Sequence, residues 1–154
     1  MPANDERVPK HYRSDGYIHW DLIIETHTEY LAANATKYIS RWRKKNGLQD
    51  LQKAVHYIDK LIESAKLGFI ESPMRVLPEI NEPDFAEVAK FCLANNLSER
   101  EQIAVTELIL WRNTDDLENA RDTVNLLIEE AQSKPVPATD SNKHADRAKD
   151  PTGW

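Results

Sequence analysis

The sequence predicts an all-α protein made of two similar three-helix units followed by a disordered C-terminal tail. Three observations carry this. Glycine is scarce, four in 154 residues, and no stretch alternates apolar and polar residues for long. Apolar residues instead recur at steps of three and four, the period of a helix with one buried face. The chain also partly repeats itself. Trp42-Arg43 returns as Trp111-Arg112, and Asp50-Leu51 as Asp116-Leu117. Seven of 18 positions are identical between 48–65 and 114–131, the pattern of an internal duplication.

In chain order, residues 1–16 are polar and read as an arm. Ile18, Leu22, Ile23, Tyr30 and Leu31 predict a helix over 17–33. Ala35, Tyr38, Ile39 and Trp42 predict a second over 34–45. Asn46-Gly47 stops it, since both residues accept the left-handed backbone that ends helices. Leu51, Ala54, Val55, Ile58, Leu61, Ile62 and Ala65 form one stripe on a third helix, 48–67. Residues 68–83 hold Pro73, Pro78 and Pro83 and read as a linker. The second unit covers 84–132. Its helices are expected over 84–95, over 99–112 behind a capping box at Ser98 and Glu101, and over 114–131, where early acidic residues suit the positive helix end. The tail, 133–154, is too poor in apolar residues to offset its ordering entropy.

Composition narrows the function. A chain of this length can bury about two-thirds of its unfolded surface without staples. Cys92 is the only cysteine, which excludes a disulfide framework and a cysteine zinc cluster. No apolar run approaches the ~18 residues of a membrane span, and no signal core stands at the start. A cytoplasmic setting is expected. The net charge of −6 is unevenly placed. Residues 1–66 hold 11 Lys/Arg and 9 Asp/Glu, whereas residues 67–154 hold 9 and 17. A net acidic protein lacks the broad basic surface that nucleic acid needs, but a local cluster can still hold a small anion.

That cluster lies in "NATKYISRWRKKNGLQDLQKAVHYI", residues 34–58. On a helix Asn34, Lys37, Arg41 and either Lys44 or Lys45 share one face, and on the next helix Asp50, Lys53, Tyr57 and Lys60 do the same. A short turn packs the two helices as a hairpin, so both polar stripes can flank one groove. Arginine offers phosphate a planar fork and lysine a point charge. The competing reading is a solvated helix face. In the second unit Thr106, Glu107 and Leu110 replace Lys37, Tyr38 and Arg41, as expected if the cations serve a site in the first unit alone. Asp21 and Glu25, one turn apart, form a candidate magnesium pair, with a plain acidic face as the alternative. No Walker loop, Gly-rich dinucleotide turn or H-E-x-x-H zinc spacing is present. A pyrophosphohydrolase would want paired E-x-x-E motifs on facing helices; only Glu79 and Glu82, in the linker, have that spacing.

The stretch from His11 to Glu63 resembles a small phage family, domain of unknown function 3310, typified by a nucleotide kinase of a T-odd podophage. The resemblance rests on His11, Tyr12, Asp21, Asn34, Lys37, Tyr38, Arg41, Lys45, Gly47, Asp50, Leu51, Lys53, Ala54 and Tyr57. It implies a phage protein acting in an infected bacterial host. It also implies a homo-oligomer that phosphorylates deoxynucleoside monophosphates with ATP and Mg2+. On that reading Lys37, Arg41 and Lys53 bind phosphates, and Asp50 or Asp21 holds magnesium or takes the substrate proton. His11, Asn34 and Tyr57 orient base or sugar, with Tyr12 and Lys45 completing the set. Two alternatives use the same residues or none of them. One is a non-catalytic sponge that sequesters a host signalling nucleotide. The other is a structural or host-protein-binding module.

Overall fold

A computed structural model describes residues 16–73 and 81–133. The elements are α1 (His19–Thr26), α2 (Tyr30–Arg41), α3 (Leu48–Lys66), α4 (Asn81–Ala94), α5 (Glu99–Ile109) and α6 (Thr114–Ser133), with no strand among the described residues. The expected all-α class holds. The tail from 134 onward lies outside the described residues.

The first helix boundary is displaced from its expected place. The chain breaks at 27–29, not at 33–34. His27 takes the left-handed conformation (φ 51°). The Thr28 and His27 amides reach back to the carbonyls of Ile23 and Ile24, closing a Schellman end. The Glu29 carboxylate then caps α2 by accepting from the amides of Leu31 and Ala32. Neither signal uses the usual residue, glycine or asparagine for the first and serine, threonine, aspartate or asparagine for the second, so neither stands out in the sequence. The other end of α2 is also early, at Arg41, and α5 stops at Ile109 instead of Arg112. Both tryptophans therefore follow their helices, although both are buried as expected. Gly47 opens α3 at φ 57°, ψ −131°, a conformation essentially confined to glycine.

The two halves share local geometry. A shift of 69 positions takes the left-handed His27 to the left-handed Asn96 and the cap Glu29 to the cap Ser98. The same shift takes Trp42 to Trp111. Asp50 accepts from the amide of Asn46 at 3.1 Å, and Asp116 accepts from the amide of Arg112 at 2.9 Å, each four residues back. Between the halves α1 packs on α4, α2 on α5 and α3 on α6, so each helix meets its counterpart.

A single hydrophobic core runs through both halves, from Leu22, Ile39 and Ile58 to Phe91, Leu108 and Leu127. The segment expected as a linker is pinned where it is described. Phe69 donates to Ser64, and buried Ser72 donates to the Trp111 carbonyl at 2.6 Å. Glu101 ties the halves together. One of its oxygens closes the capping box on the Ser98 amide at 2.8 Å; the other accepts from the Trp42 indole at 2.6 Å and from Arg43 at 2.8 Å. This buried carboxylate fixes the C-terminal end of α2, and with it the direction in which the basic residues of that helix point.

Candidate anion-binding site

Lys37 and Arg41 lie one turn apart on α2, and Lys53 faces them from α3. All three converge on the ring of Tyr38. The Lys37 Nζ stands 4.6 Å from its centroid, the Arg41 guanidinium carbon 4.7 Å and the Lys53 Nζ 5.3 Å. Tyr38 itself is buried, and Tyr57 stacks beside it at 5.9 Å. Exposed Tyr30 meets Tyr57 edge-on at 6.2 Å. The negative faces of these rings are what allow cations to gather here. The Tyr57 phenol is pushed up to about 12, first by burial, then by its hydrogen bond to Tyr30 and by the two neighbouring phenols. It is therefore a neutral hydrogen-bonding group at physiological pH.

Arg41 is only 7% exposed. Its Nε stands 3.7 Å from the Asp50 carboxylate, too far for a hydrogen bond, and finds no acceptor among the described residues. Asp50 is fully buried. One of its oxygens holds the Asn46 amide, and Oδ1 finds no donor among the described residues. Asp50 is a positioning residue in this geometry, because it clamps the start of α3 and faces the guanidinium. Arg41 and Lys53 are buried alongside it.

A cleft of about 370 Å³ opens beside Lys37, between α1 and α2. From α1 it is lined by His19, Trp20, Ile23 and Ile24, and from α2 by Asn34 and Lys37. His19 is buried, hydrogen-bonded to Thr36 Oγ1 at 2.9 Å and edge-on to Phe91. Its ring is pushed down to about 3, first by burial and then by Lys37 and Arg41. It is a neutral imidazole held against two cations. His19 and Trp20 are absent from the sequence-derived set. A signal did exist: Trp20 and Ile24 stand one turn apart, off the stripe of Ile18 and Leu22, so α1 has large apolar residues on a second face.

The structure thus gathers Lys37, Arg41, Lys53 and Tyr57 around Tyr38, sets Asp50 beside Arg41, and places Asn34 at the cleft. Lys45 sits half-buried in the turn after α2. Asp21 and Glu25 do not line the cleft; their field falls on Tyr17, which also donates to Glu87. Among the described residues no group of three or more His, Cys, Asp or Glu converges as a metal site would. Asp21 and Glu25 stand one turn apart on α1, and a magnesium ion held by only two carboxylates takes its other ligands from water and ligand phosphates. His11 and Tyr12 lie outside the described residues.

Residues 7–59 match the family model DUF3310, described as a protein of unknown function. The DUF3310 match covers about a third of the chain. It contains α1, α2, the first part of α3, the whole cation cluster and the cleft. No curated protein and no solved structure matches the chain. No helix among the described residues is long and apolar enough to cross a membrane.

Proposed function

We propose that the α1–α3 half binds a nucleotide through its phosphates, with Lys37, Arg41 and Lys53 as the grip. One observation carries the reading: a buried arginine whose Nε lacks an acceptor stands with two lysines around one tyrosine ring. A buried cation is costly without hydrogen-bonded partners, and a phosphate oxygen is the partner this arrangement suits. Clustered cations are also most of what phosphoryl transfer asks of a protein, namely positioning and neutralisation of the transferred group. The proposal is therefore a nucleotide-handling protein that acts as a nucleoside monophosphate kinase without a Walker loop. A homo-oligomer is what the resemblance implies. Here α1 already walls the cleft next to Lys37, so the proposal requires no second copy.

Turnover separates a kinase from a nucleotide sponge. The protein is incubated with ATP, magnesium and each deoxynucleoside monophosphate, and diphosphate formation is followed alongside calorimetric binding. Product that disappears in Arg41→Lys supports transfer, because a point charge cannot reproduce the fork. Binding without product leaves the sponge. Binding unaffected by Lys37→Ala and Arg41→Lys but lost in folded Arg112→Ala overturns the placement of the site.

A further inference from the structure

The phosphate grip accounts for one end of a ligand, and the cleft next to it has a different chemistry. Trp20 is 43% exposed and Ile24 more so, although both are large and apolar. Together with Ile23 they make one wall of the cleft. Lys37 belongs to both features, lining the cleft and standing over Tyr38. A ligand held by Lys37 can therefore reach both features. Asn34, on the α2 side, directs its Nδ2 to the Tyr30 carbonyl at 2.9 Å, which leaves Oδ1 to accept from a ligand N–H. His19 holds the floor as a neutral ring fixed by Thr36 and Phe91, so no charge opposes an uncharged planar group there.

We infer that this cleft is a nucleobase pocket, in which a base lies against the Trp20 indole and offers an N–H to Asn34 Oδ1 while its phosphate meets Lys37, Arg41 and Lys53. The inference rests on the nucleotide-binding reading and assigns the base of that nucleotide to Trp20 and Asn34 in the cleft between α1 and α2. Indole is a large flat surface, and stacking on it tolerates any base. Ile23 and Ile24 exclude water from the edges.

The test uses the full chain with deoxynucleoside monophosphates as base-bearing probes and ribose 5-phosphate as the base-free probe. Binding is read by calorimetry and by tryptophan fluorescence. A deoxynucleoside monophosphate should quench wild-type emission, and the ligand-dependent change should vanish in Trp20→Phe. Trp20→Ala should weaken deoxynucleoside monophosphate binding about 5- to 150-fold and leave ribose 5-phosphate unchanged. Ribose 5-phosphate binding as tightly as the nucleotides, with both indifferent to Trp20→Ala, overturns the base pocket and spares the phosphate site. No binding of either probe means that the phosphate reading itself has failed. A Trp20→Ala protein with altered mass in light scattering but unaltered nucleotide affinity overturns the pocket in favour of a self-association surface.

Discussion

Replacing Arg41 with methionine and Asp50 with asparagine, singly and together, separates what the buried pair does for folding from what it does for binding. Methionine keeps the length of the arginine stem and removes the charge. Arg41→Met leaves the Asp50 carboxylate fully buried with the Asn46 amide as its hydrogen-bond donor. Removing one member of a buried pair costs about 3–5 kcal/mol because the other charge stays behind. The lost contact with Tyr38 contributes up to about 2 kcal/mol of that when desolvated. Asp50→Asn preserves an acceptor for the Asn46 amide but leaves Arg41 facing Lys37 and Lys53, and it too should destabilise. The double variant has neither charge. Its stability should return to within about 1 kcal/mol of wild type or exceed it, since buried pairs are often neutral or worse than apolar replacements. The deviation from additivity should then be several times the ~0.5 kcal/mol seen for independent sites. Binding should not recover. Both variants lacking Arg41 should lose about 1.5–3 kcal/mol of affinity for a deoxynucleoside monophosphate, whereas Asp50→Asn should bind at least as well as wild type. Urea midpoints at constant m-value give the stabilities, and calorimetry gives the affinities. A double variant as unstable as Arg41→Met refutes the account of the pair. A double variant that binds like wild type refutes the site.

Glu101→Ala should cost about 2–4 kcal/mol in urea denaturation. Roughly 1–3 kcal/mol comes from the buried Trp42 indole N–H left without its acceptor, and about 1 kcal/mol from the broken capping box. Arg43 is 41% exposed, so its ion pair adds little; a loss below 1 kcal/mol would remove Glu101 as the tie between halves. His19 sets an acid limit. Its folded value of about 3 lies below the unfolded value near 6.5, so between these pH values the unfolded chain binds the extra proton. Stability from this residue is complete above about 6.5 and falls as pH drops toward 3, by at most ~1.4 kcal/mol per pH unit. His19→Gln should show a shallower acid slope than wild type, and identical slopes would mean that the imidazole does not stay neutral.

Much of the fold was legible because its signals are local. The apolar stripe of α3 and the Ser98–Glu101 box each declare themselves within a few residues. The α1–α2 boundary did not, because a histidine stands where glycine is usual and a glutamate where serine is usual. The cation cluster could be placed from helical phase alone, since Lys37 and Arg41, like Asp50, Lys53 and Tyr57, repeat at steps of three and four. What phase could not give was depth. It put Tyr38 in the core, where it is, but the cations outside, whereas Arg41, Lys53 and Asp50 are buried with it. The cleft was harder still, because Trp20 meets Asn34 and Lys37 only after the turn at His27 folds α1 against α2.

The packing of each helix on its counterpart makes the seam between the halves self-complementary. A second molecule presents the same surfaces in the same order, so the first half of one chain fits the second half of another. The covalent connection through residues 67–80 opposes this exchange by holding the partner half at an effective concentration on the order of millimolar. At micromolar protein the intramolecular seam is thus favoured about a thousandfold. Cutting the chain within 74–80 would remove that advantage and make the pairing of the halves an ordinary bimolecular equilibrium, with a stability that falls on dilution.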